Sequence, residues 1–231
     1  MDISKAKDIL DYWIPKNGES DLNKWFMKSS EYDDEIKEKF GDLLKKAEKG
    51  NGFSWLISKD SFVAYIILMD QFSRHIYRGS GDAFKNDVST MIFTKLGFDL
   101  YRHQLVGYEF MFAFMPYVHT ESLKYQKKGE KLFNEHRELY VRAQGGFGSS
   151  HYDAKKGSRY HLLSQKDKSD SGFMSGIEHV LTQADKDLKM LDQMQPHVMG
   201  HKRTIEQFGR FPMRNDALGR ESTENELPYN R

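Results

Sequence analysis

The fold of this chain is decided by the segment from Ser61 to Gly79, which reads SFVAYIILMDQFSRHIYRG. Asp70, Arg74 and Arg78 follow one another at intervals of four residues, which places them on one side of a helix. Ser61 is expected to cap this helix and Gly79 to end it. Beside the charged row, the apolar residues recur at helical spacing and form a stripe: Phe62, Tyr65, Ile66, Met69, Phe72 and Ile76.

Helical spacing recurs along most of the chain, and no Asn-Gly type of turn joins two alternating strands. The sequence therefore predicts an all-α fold, a single helical domain over residues 1–231. Without a repeated consensus at a fixed period, the helices are expected to form an irregular stack of antiparallel helical hairpins. Proline and glycine positions predict the other helices over residues 3–14, 32–49, 91–100, 106–115, 117–142, 177–194 and 197–208.

Residues 145–176 interrupt this pattern, because they are rich in Gly, Ser, Lys and Asp. They are predicted to form a polar insertion or a mobile loop within the domain. The segment starts with Gly145-Gly146-Phe147-Gly148, but a glycine-rich phosphate loop needs a preceding strand, and the sequence predicts none there.

Composition excludes several classes of function. The 231 residues carry a formal net charge of +1, so no global positive field would draw the protein to nucleic acid or to an acidic membrane. The absence of cysteine excludes disulfides, thiolate catalysis and cysteine-ligated metal centres. The first residues lack the apolar core of a signal peptide, and no apolar run is long enough to cross a bilayer. We expect a soluble, cytoplasmic protein.

Two segments, residues 70–79 and 208–223, use arginine where the rest of the chain favours lysine. No lysine occurs between Ser61 and Gly79 or after Lys202. The planar guanidinium group suits bidentate contacts with carboxylates or phosphates, whether these belong to the protein or to a ligand. Two interpretations follow: internal ion pairs that lock helices together, or an anion site on which Arg74, Arg78, Arg210 and Arg214 converge.

Histidine and carboxylate residues add a second possibility, which is acid–base catalysis. His119 could transfer protons if Glu121 or Asp70 orients its imidazole, and the alternative is a structural histidine. No serine or cysteine nucleophile accompanies these residues, so the sequence shows no hydrolase triad. His197 and His201 share a helix face, but the glutamate of the zinc-protease pattern is missing, and neither a metal nor another cofactor is expected.

The motifs Asp-Gln-Phe-x-Arg at residues 70–74 and Phe-Gly-Arg-Phe-Pro-x-Arg-Asn at residues 208–215 resemble the uncharacterised family named domain of unknown function 924. Trp25-Phe26, Asp33 and the segment 115–122 extend the resemblance. It implies an all-helical fold similar to tetratricopeptide repeats, without an established activity. Carried onto this sequence, the family pattern marks Asp70, Gln71, Arg74, Arg78, His119, Glu121, His201, Phe208, Gly209, Arg210, Phe211, Pro212, Arg214, Asn215, Gly219, Arg220, Ser222 and Thr223.

Two positions depart from that family's pattern. Asn is usual where His75 stands, and His is usual where Met213 stands, which argues against chemistry that needs an imidazole at position 213. The segment 145–176 lies outside the resemblance.

The sequence leaves three hypotheses of function. The first is an arginine-lined pocket for a small anionic metabolite or an acidic peptide, in which the ligand-binding residues are Gln71, Arg74, Arg78, His201, Arg210, Arg214, Asn215 and Arg220. The second is an enzyme that uses the same pocket, with His119 as acid or base and Glu121 or Asp70 as its partner. The third is a scaffold for protein interaction, with 145–176 as the contact region.

Glu109 lies within an apolar run and is expected to pair with one of the motif arginines.

Overall fold

The structure is a computed structural model that describes residues 3–15, 22–26, 28–50, 52–144 and 171–229. These residues form helices and connecting turns, and no strand occurs among them, so the predicted all-α class is confirmed. The α-helices are α1 (Ala6–Trp13), α2 (Leu22–Phe26), α3 (Ser30–Lys49), α4 (Lys59–Ile66), α5 (Ser73–Ile76), α6 (Asp87–Tyr101), α7 (Gly107–His119), α8 (Leu123–Gln144) and α9 (Ser171–Phe208). The 3₁₀ turns are Ile3–Lys5, Gly52–Ile57, Gly81–Phe84, Pro212–Arg214 and Leu227–Tyr229.

The segment that predicted one helix contains three helical pieces. Ser58, rather than Ser61, is the N-cap of α4, and Ser61 completes a capping box three residues later. After Ile66 the backbone changes to a π-helix over Ile67–Phe72, and α5 continues from it. A π-helix has one more residue in each hydrogen-bonded turn, and such insertions are frequent at functional sites.

Helix α7 lies at the centre of the molecule and packs against α4, α6, α8 and α9. Its residues from Phe110 to Val118 are all buried, because this helix is apolar on nearly every side. Helix α7 continues through Pro116 to His119, so the predicted end near residue 115 is wrong. The rings of Trp13 and Trp25 both pack against Phe112, which ties the N-terminal helices to the core.

Helices α8 and α9 form an antiparallel hairpin. Lys202 pairs with Glu130 near one end, and Arg137 pairs with Asp192 further along. Helix α9 is continuous through Pro196, although proline was expected to break it. These ion pairs to α8 lie on both sides of Pro196 and stabilise the continuous helix. Tetratricopeptide-like stacking of the whole chain stays a prediction.

The predicted insertion 145–176 lies mostly outside the described residues, which resume at Ser171, the first residue of α9. Its role as a loop or contact region, like the single domain over 1–231, stays a prediction. None of the helices in the described ranges is long and apolar enough to span a membrane.

Candidate functional site

The site is built around the carboxylate of Asp70, which the π-helix places inside the protein with no exposed side-chain surface. His119 donates from Nδ1 to its two oxygens at 2.9 and 2.8 Å, and Arg74 Nη2 lies 3.3 Å from Oδ1. Gln71 Nε2 donates to Oδ2 at 2.5 Å. Burial by itself raises the pKa of Asp70, but the imidazolium that His119 forms at acidic pH, the Arg74 cation and the hydrogen bonds from His119 and Gln71 outweigh it and hold that pKa below its ordinary value.

His119 is the last residue of α7, so its imidazole reaches the surface while the helix remains in the core. An ionised carboxylate only accepts hydrogen bonds, so the contact with Asp70 assigns the proton to Nδ1 of His119. Nε2 then carries the lone pair, and the side chain is 18% exposed. Burial and the charge of Arg74 lower the pKa of His119, although Asp70 opposes them. The ring is therefore neutral near pH 7 and can accept a proton at Nε2.

A chain of ion pairs adjoins the Asp70–His119 dyad and consists of Arg74, Asp87 and Arg214. Asp87 begins α6 and accepts from Arg74 Nη2 through Oδ1 and from Arg214 Nη1 through Oδ2, each at 2.8 Å. Arg214 Nη2 also donates to the backbone oxygen of His119 at 2.9 Å. A cation at this carbonyl suits the negative end of the α7 dipole. Arg214 thus fixes the helix end that carries the imidazole.

Glu121 lies two residues beyond His119 but has other partners. Arg220 holds its carboxylate through two hydrogen bonds at 2.8 and 3.0 Å, and the backbone N–H of Phe211 donates to it at 2.8 Å. Burial raises the pKa of Glu121, but these donors outweigh it and leave the pKa below its ordinary value. Of the two carboxylates proposed to orient His119, Asp70 contacts the ring, while Glu121 fastens the C-terminal segment to the end of α7.

The other two motif arginines lie apart from the dyad. Arg78 donates to Asp33 of α3 at 2.5 and 2.8 Å. Arg210 donates to Glu226 at 2.6 and 2.7 Å, and the backbone N–H of Thr223 donates to the same carboxylate at 2.8 Å. All five motif arginines therefore meet a carboxylate of the protein, and they do not converge on one point.

His201 of α9 approaches the dyad from the other side. Its ring centroid lies 6.5 Å from that of His119 and 5.3 Å from that of Phe211. Its Nδ1 lies 2.9 Å from the backbone oxygen of His197, so this nitrogen is the donor, and Nε2 carries the lone pair. Burial lowers the pKa of His201. His201 therefore adds a second neutral imidazole beside the dyad.

Asn215, which was predicted to bind ligand, is fully buried in the C-terminal turn. Its Nδ2 donates to Ser222 Oγ at 3.0 Å, and its backbone oxygen accepts from Arg220 N at 2.8 Å. These contacts shape the segment that carries Arg214 and Arg220. Within the described ranges, no three His, Asp or Glu side chains are arranged to hold a metal ion.

The sequence predicted that Glu109 pairs with a motif arginine, and this prediction is wrong. Both oxygens of Glu109 accept from Lys59 Nζ at 2.6 Å, not from a motif arginine. The reason is position: Glu109 lies in the first turn of α7, at the end opposite to His119, and Lys59 begins α4 beside it.

Asp87 is the residue that sequence reasoning missed. An acidic residue in the first turn of a helix is common, because it faces the positive end of the helix dipole. The sequence around Asp87 therefore looks like an ordinary helix start, and it gives no sign that Asp87 also bridges Arg74 and Arg214.

Comparison with known proteins agrees with this fold. The family described as bacterial protein of unknown function (DUF924) matches residues 9–230, and the chain belongs to that family. The solved structure of ATU0120, a protein of unknown function from Agrobacterium tumefaciens, superposes with a TM-score of 0.65 at 23% identity, covering 99% of this chain and 97% of that one. This similarity shows the fold alone. No curated protein matches the sequence.

Proposed function

For this member of the DUF924 family, we propose an enzyme in which His119 transfers a proton at Nε2 and Asp70 orients its ring. One observation carries the proposal: a fully buried carboxylate holds Nδ1 of a partly exposed imidazole at 2.8 Å. A carboxylate in this position fixes the tautomer and stabilises the imidazolium that forms during the reaction. Glu121 has no part in the proton transfer, since Arg220 holds it.

The proposed proton transfer follows from the contacts of the two ring nitrogens of His119. A substrate hydroxyl, amine or bound water donates to Nε2 of His119, and the ring takes its proton while Asp70 balances the new charge. The ring later returns this proton to the leaving group or product. General acid–base catalysis of this kind contributes about 10²- to 10⁴-fold to a rate.

Arg74 and Arg214 act as positioning residues in this proposal. Arg74 contacts the carboxylates of Asp70 and Asp87, and Arg214 contacts Asp87 and the end of α7. Their positive charges are matched by the carboxylates of Asp70 and Asp87, so these four side chains together with the neutral imidazole of His119 have no net charge. Protonation of His119 then leaves an excess of one positive charge where the substrate reacts.

That excess charge supports an anionic substrate. A small anionic metabolite or an acidic peptide would gain an attraction in the state in which His119 is protonated, which is where catalysis benefits most. Simple anion capture by free arginines receives less support, because the five motif arginines already have internal carboxylate partners.

The test is a panel of ester, phosphate-ester and amide substrates that carry a carboxylate, assayed with wild type and two variants. His119→Gln removes the base, whereas His197→Gln changes an exposed imidazole on α9 and serves as the control. We expect turnover of any accepted substrate to fall by about 10²- to 10⁴-fold in His119→Gln and to stay unchanged in His197→Gln. Equal turnover in wild type and His119→Gln would contradict the proposal.

A further inference from the structure

A second imidazole, that of His201, lies beside His119, although the two histidines belong to different helices. His119 ends α7, His201 lies near the C-terminal end of α9, and their ring centroids are 6.5 Å apart. The ring of Phe211 is buried and packs against His201 at an interplanar angle of 70°, which helps to hold that imidazole in place. The proton transfer proposed above gives His201 no part.

Both rings use Nδ1 for a contact within the protein. Nδ1 of His119 donates to Asp70, and Nδ1 of His201 donates to the backbone oxygen of His197. Burial is the largest cause that lowers the pKa of each of the two histidines, so both rings are neutral near pH 7. A neutral ring with its proton on Nδ1 has a lone pair on Nε2. Each ring therefore has Nε2 left as a hydrogen-bond acceptor for a ligand.

The separation of the two rings limits what can join them. When an imidazole accepts a hydrogen bond at Nε2, the donor oxygen lies about 4 Å from the ring centroid. Two centroids 6.5 Å apart can therefore share one oxygen, and the angle at that oxygen is roughly 110°. This angle is close to the angle between the two O–H bonds of water. A zinc ion held by both Nε2 atoms would need the centroids roughly 5 Å apart, because Zn–N bonds are about 2.1 Å long.

We propose that the Nε2 atoms of His119 and His201 accept the two hydrogens of one water molecule, and that this water is the nucleophile of the reaction. The inference rests on the proposed proton transfer by His119 and narrows the reaction to hydrolysis. An alcohol has only one such hydrogen and would leave one imidazole without a donor. His201 is thus a catalytic residue that touches the reacting water and fixes the direction of its attack.

The hydrolytic step balances with water as the co-reactant. The water oxygen forms a bond to the carbonyl carbon or phosphorus of an ester, and His119 takes one of the water protons. Asp70 balances the charge of the imidazolium, the bond to the leaving group breaks, and the imidazolium returns the proton to the leaving oxygen. His119 is the base because its Nδ1 faces a carboxylate, whereas Nδ1 of His201 faces a neutral carbonyl.

A high-resolution crystal structure of the full chain, at about pH 8 where both histidines are neutral, tests the inference without a substrate. We expect one water within about 3 Å of Nε2 of both His119 and His201. Crystals of His201→Phe, which keeps a ring but removes the acceptor, should lose this water. Separate waters on the two rings, a water on only one ring, or none at either would overturn the inference. His119→Gln tests the proposed function separately.

Kinetics distinguish a catalytic role of His201 from a structural one. With mono-4-nitrophenyl succinate, an activated ester that carries a carboxylate, His201→Phe should lower kcat by about tenfold and leave KM unchanged, because the lost hydrogen bond is to the water. His201→Gln has an amide oxygen that can accept this hydrogen bond, and should recover part of the loss.

Competition between water and methanol adds a readout that a structural role would not change. Wild type should release mostly succinate in the presence of methanol, and His201→Phe should release more of the methyl ester. His197→Gln, one turn earlier on α9, is the control and should match wild type. A kcat and a product ratio in His201→Phe equal to those of wild type would overturn the inference. The proposed function would still stand in that case if His119→Gln had lost activity.

Discussion

Two imidazole–carboxylate pairs begin on the same stretch of chain and have opposite orientations. In one, the carboxylate of Asp70 is fully buried and the imidazole of His119 is 18% exposed. In the other, the imidazole of His75 is 5% exposed and the carboxylate of Asp33 is 17% exposed. The ring of Trp13 packs edge-on against His75 at 5.5 Å, which helps to exclude solvent from that imidazole.

The two pairs have the same chemical groups and differ in which partner is the more exposed, the imidazole in one and the carboxylate in the other. The side chain of His119 is 18% exposed, and the proposed proton transfer requires this exposure because a substrate must reach the ring. In the second pair, the carboxylate faces outward and is shared with Arg78. We therefore propose acid–base catalysis only for Asp70 and His119, whereas Asp33 and His75 connect α3 to α5.

Removing the carboxylate of each pair should give the largest contrast. Asp70→Ala leaves Arg74 and His119 without their shared partner in the interior, and should lower the free energy of unfolding by about 3–5 kcal/mol. Asp33→Ala removes a carboxylate that is 17% exposed, and should lower this free energy by about 1–2 kcal/mol. Urea denaturation of both variants measures the difference. Should Asp70→Ala fail to fold, Asp70→Asn keeps the shape and should still cost more than Asp33→Asn. Equal costs would mean that the two pairs have the same role.

A smaller contrast should come from lysine in place of one arginine beside each pair. These arginines are Arg214, which holds the end of α7 at His119, and Arg78, which holds Asp33. Arg214→Lys keeps the charge but cannot hold both Asp87 and the backbone oxygen of His119, so we expect a loss of about 1–3 kcal/mol. Arg78 is 35% exposed, and Arg78→Lys should cost about 0.2–1 kcal/mol. The two free energies of unfolding are compared by urea denaturation. A larger loss in Arg78→Lys than in Arg214→Lys would show that the contacts of Arg214 contribute less to stability than those of Arg78.

The pH dependence of stability gives the smallest effect. Burial is the first cause that lowers the pKa of both His119 and His75 from the ordinary value of 6.5. The unfolded chain therefore takes up protons first, and the free energy of unfolding should fall as pH decreases from about 7 to about 5. Asp70 and Asp33 also have lowered pKa values in the folded chain, so a second decline should follow below about pH 4.

His119→Gln should reduce the first decline and leave the second in place, while His197→Gln should behave like wild type. Histidine-resolved NMR titration provides the direct check, since His119 should titrate below 6.5 with its proton on Nδ1 in the neutral form. Identical declines in wild type and His119→Gln would show that this imidazole is not perturbed in the folded protein.

Much of the fold could be predicted because helical periodicity is local. The stripe from Phe62 to Ile76 identified a buried helical segment, and glycine and proline positions placed most of the other helices. The π-helix over Ile67–Phe72 could not be predicted, since it changes the hydrogen-bonding register without changing the residue types. The choice of Ser58 over Ser61 as the cap was equally hidden, because either serine suits an N-cap.

The candidate site was predicted in part. Sequence reasoning named Asp70, His119 and the arginines but left open which carboxylate orients the imidazole. It paired Glu109 with a motif arginine, although Lys59 is the partner in the structure. A residue's ion-pair partner depends on which helix ends lie side by side, and periodicity within one helix carries no information about that.

The helical class, the apolar stripe and the supply of arginine, histidine and aspartate depend only on residue type and short spacing, so they can be recognised without a structure. The tertiary structure determines which of these side chains pair with one another. Asp70 and His119 are 49 positions apart, and Asp87 and Arg214 are 127 apart, so only tertiary packing brings the members of each pair within 3 Å. Burial was decided at the same time, because the depth of a side chain depends on every helix that covers it. That depth leaves the side chain of His119 18% exposed and that of His75 5% exposed.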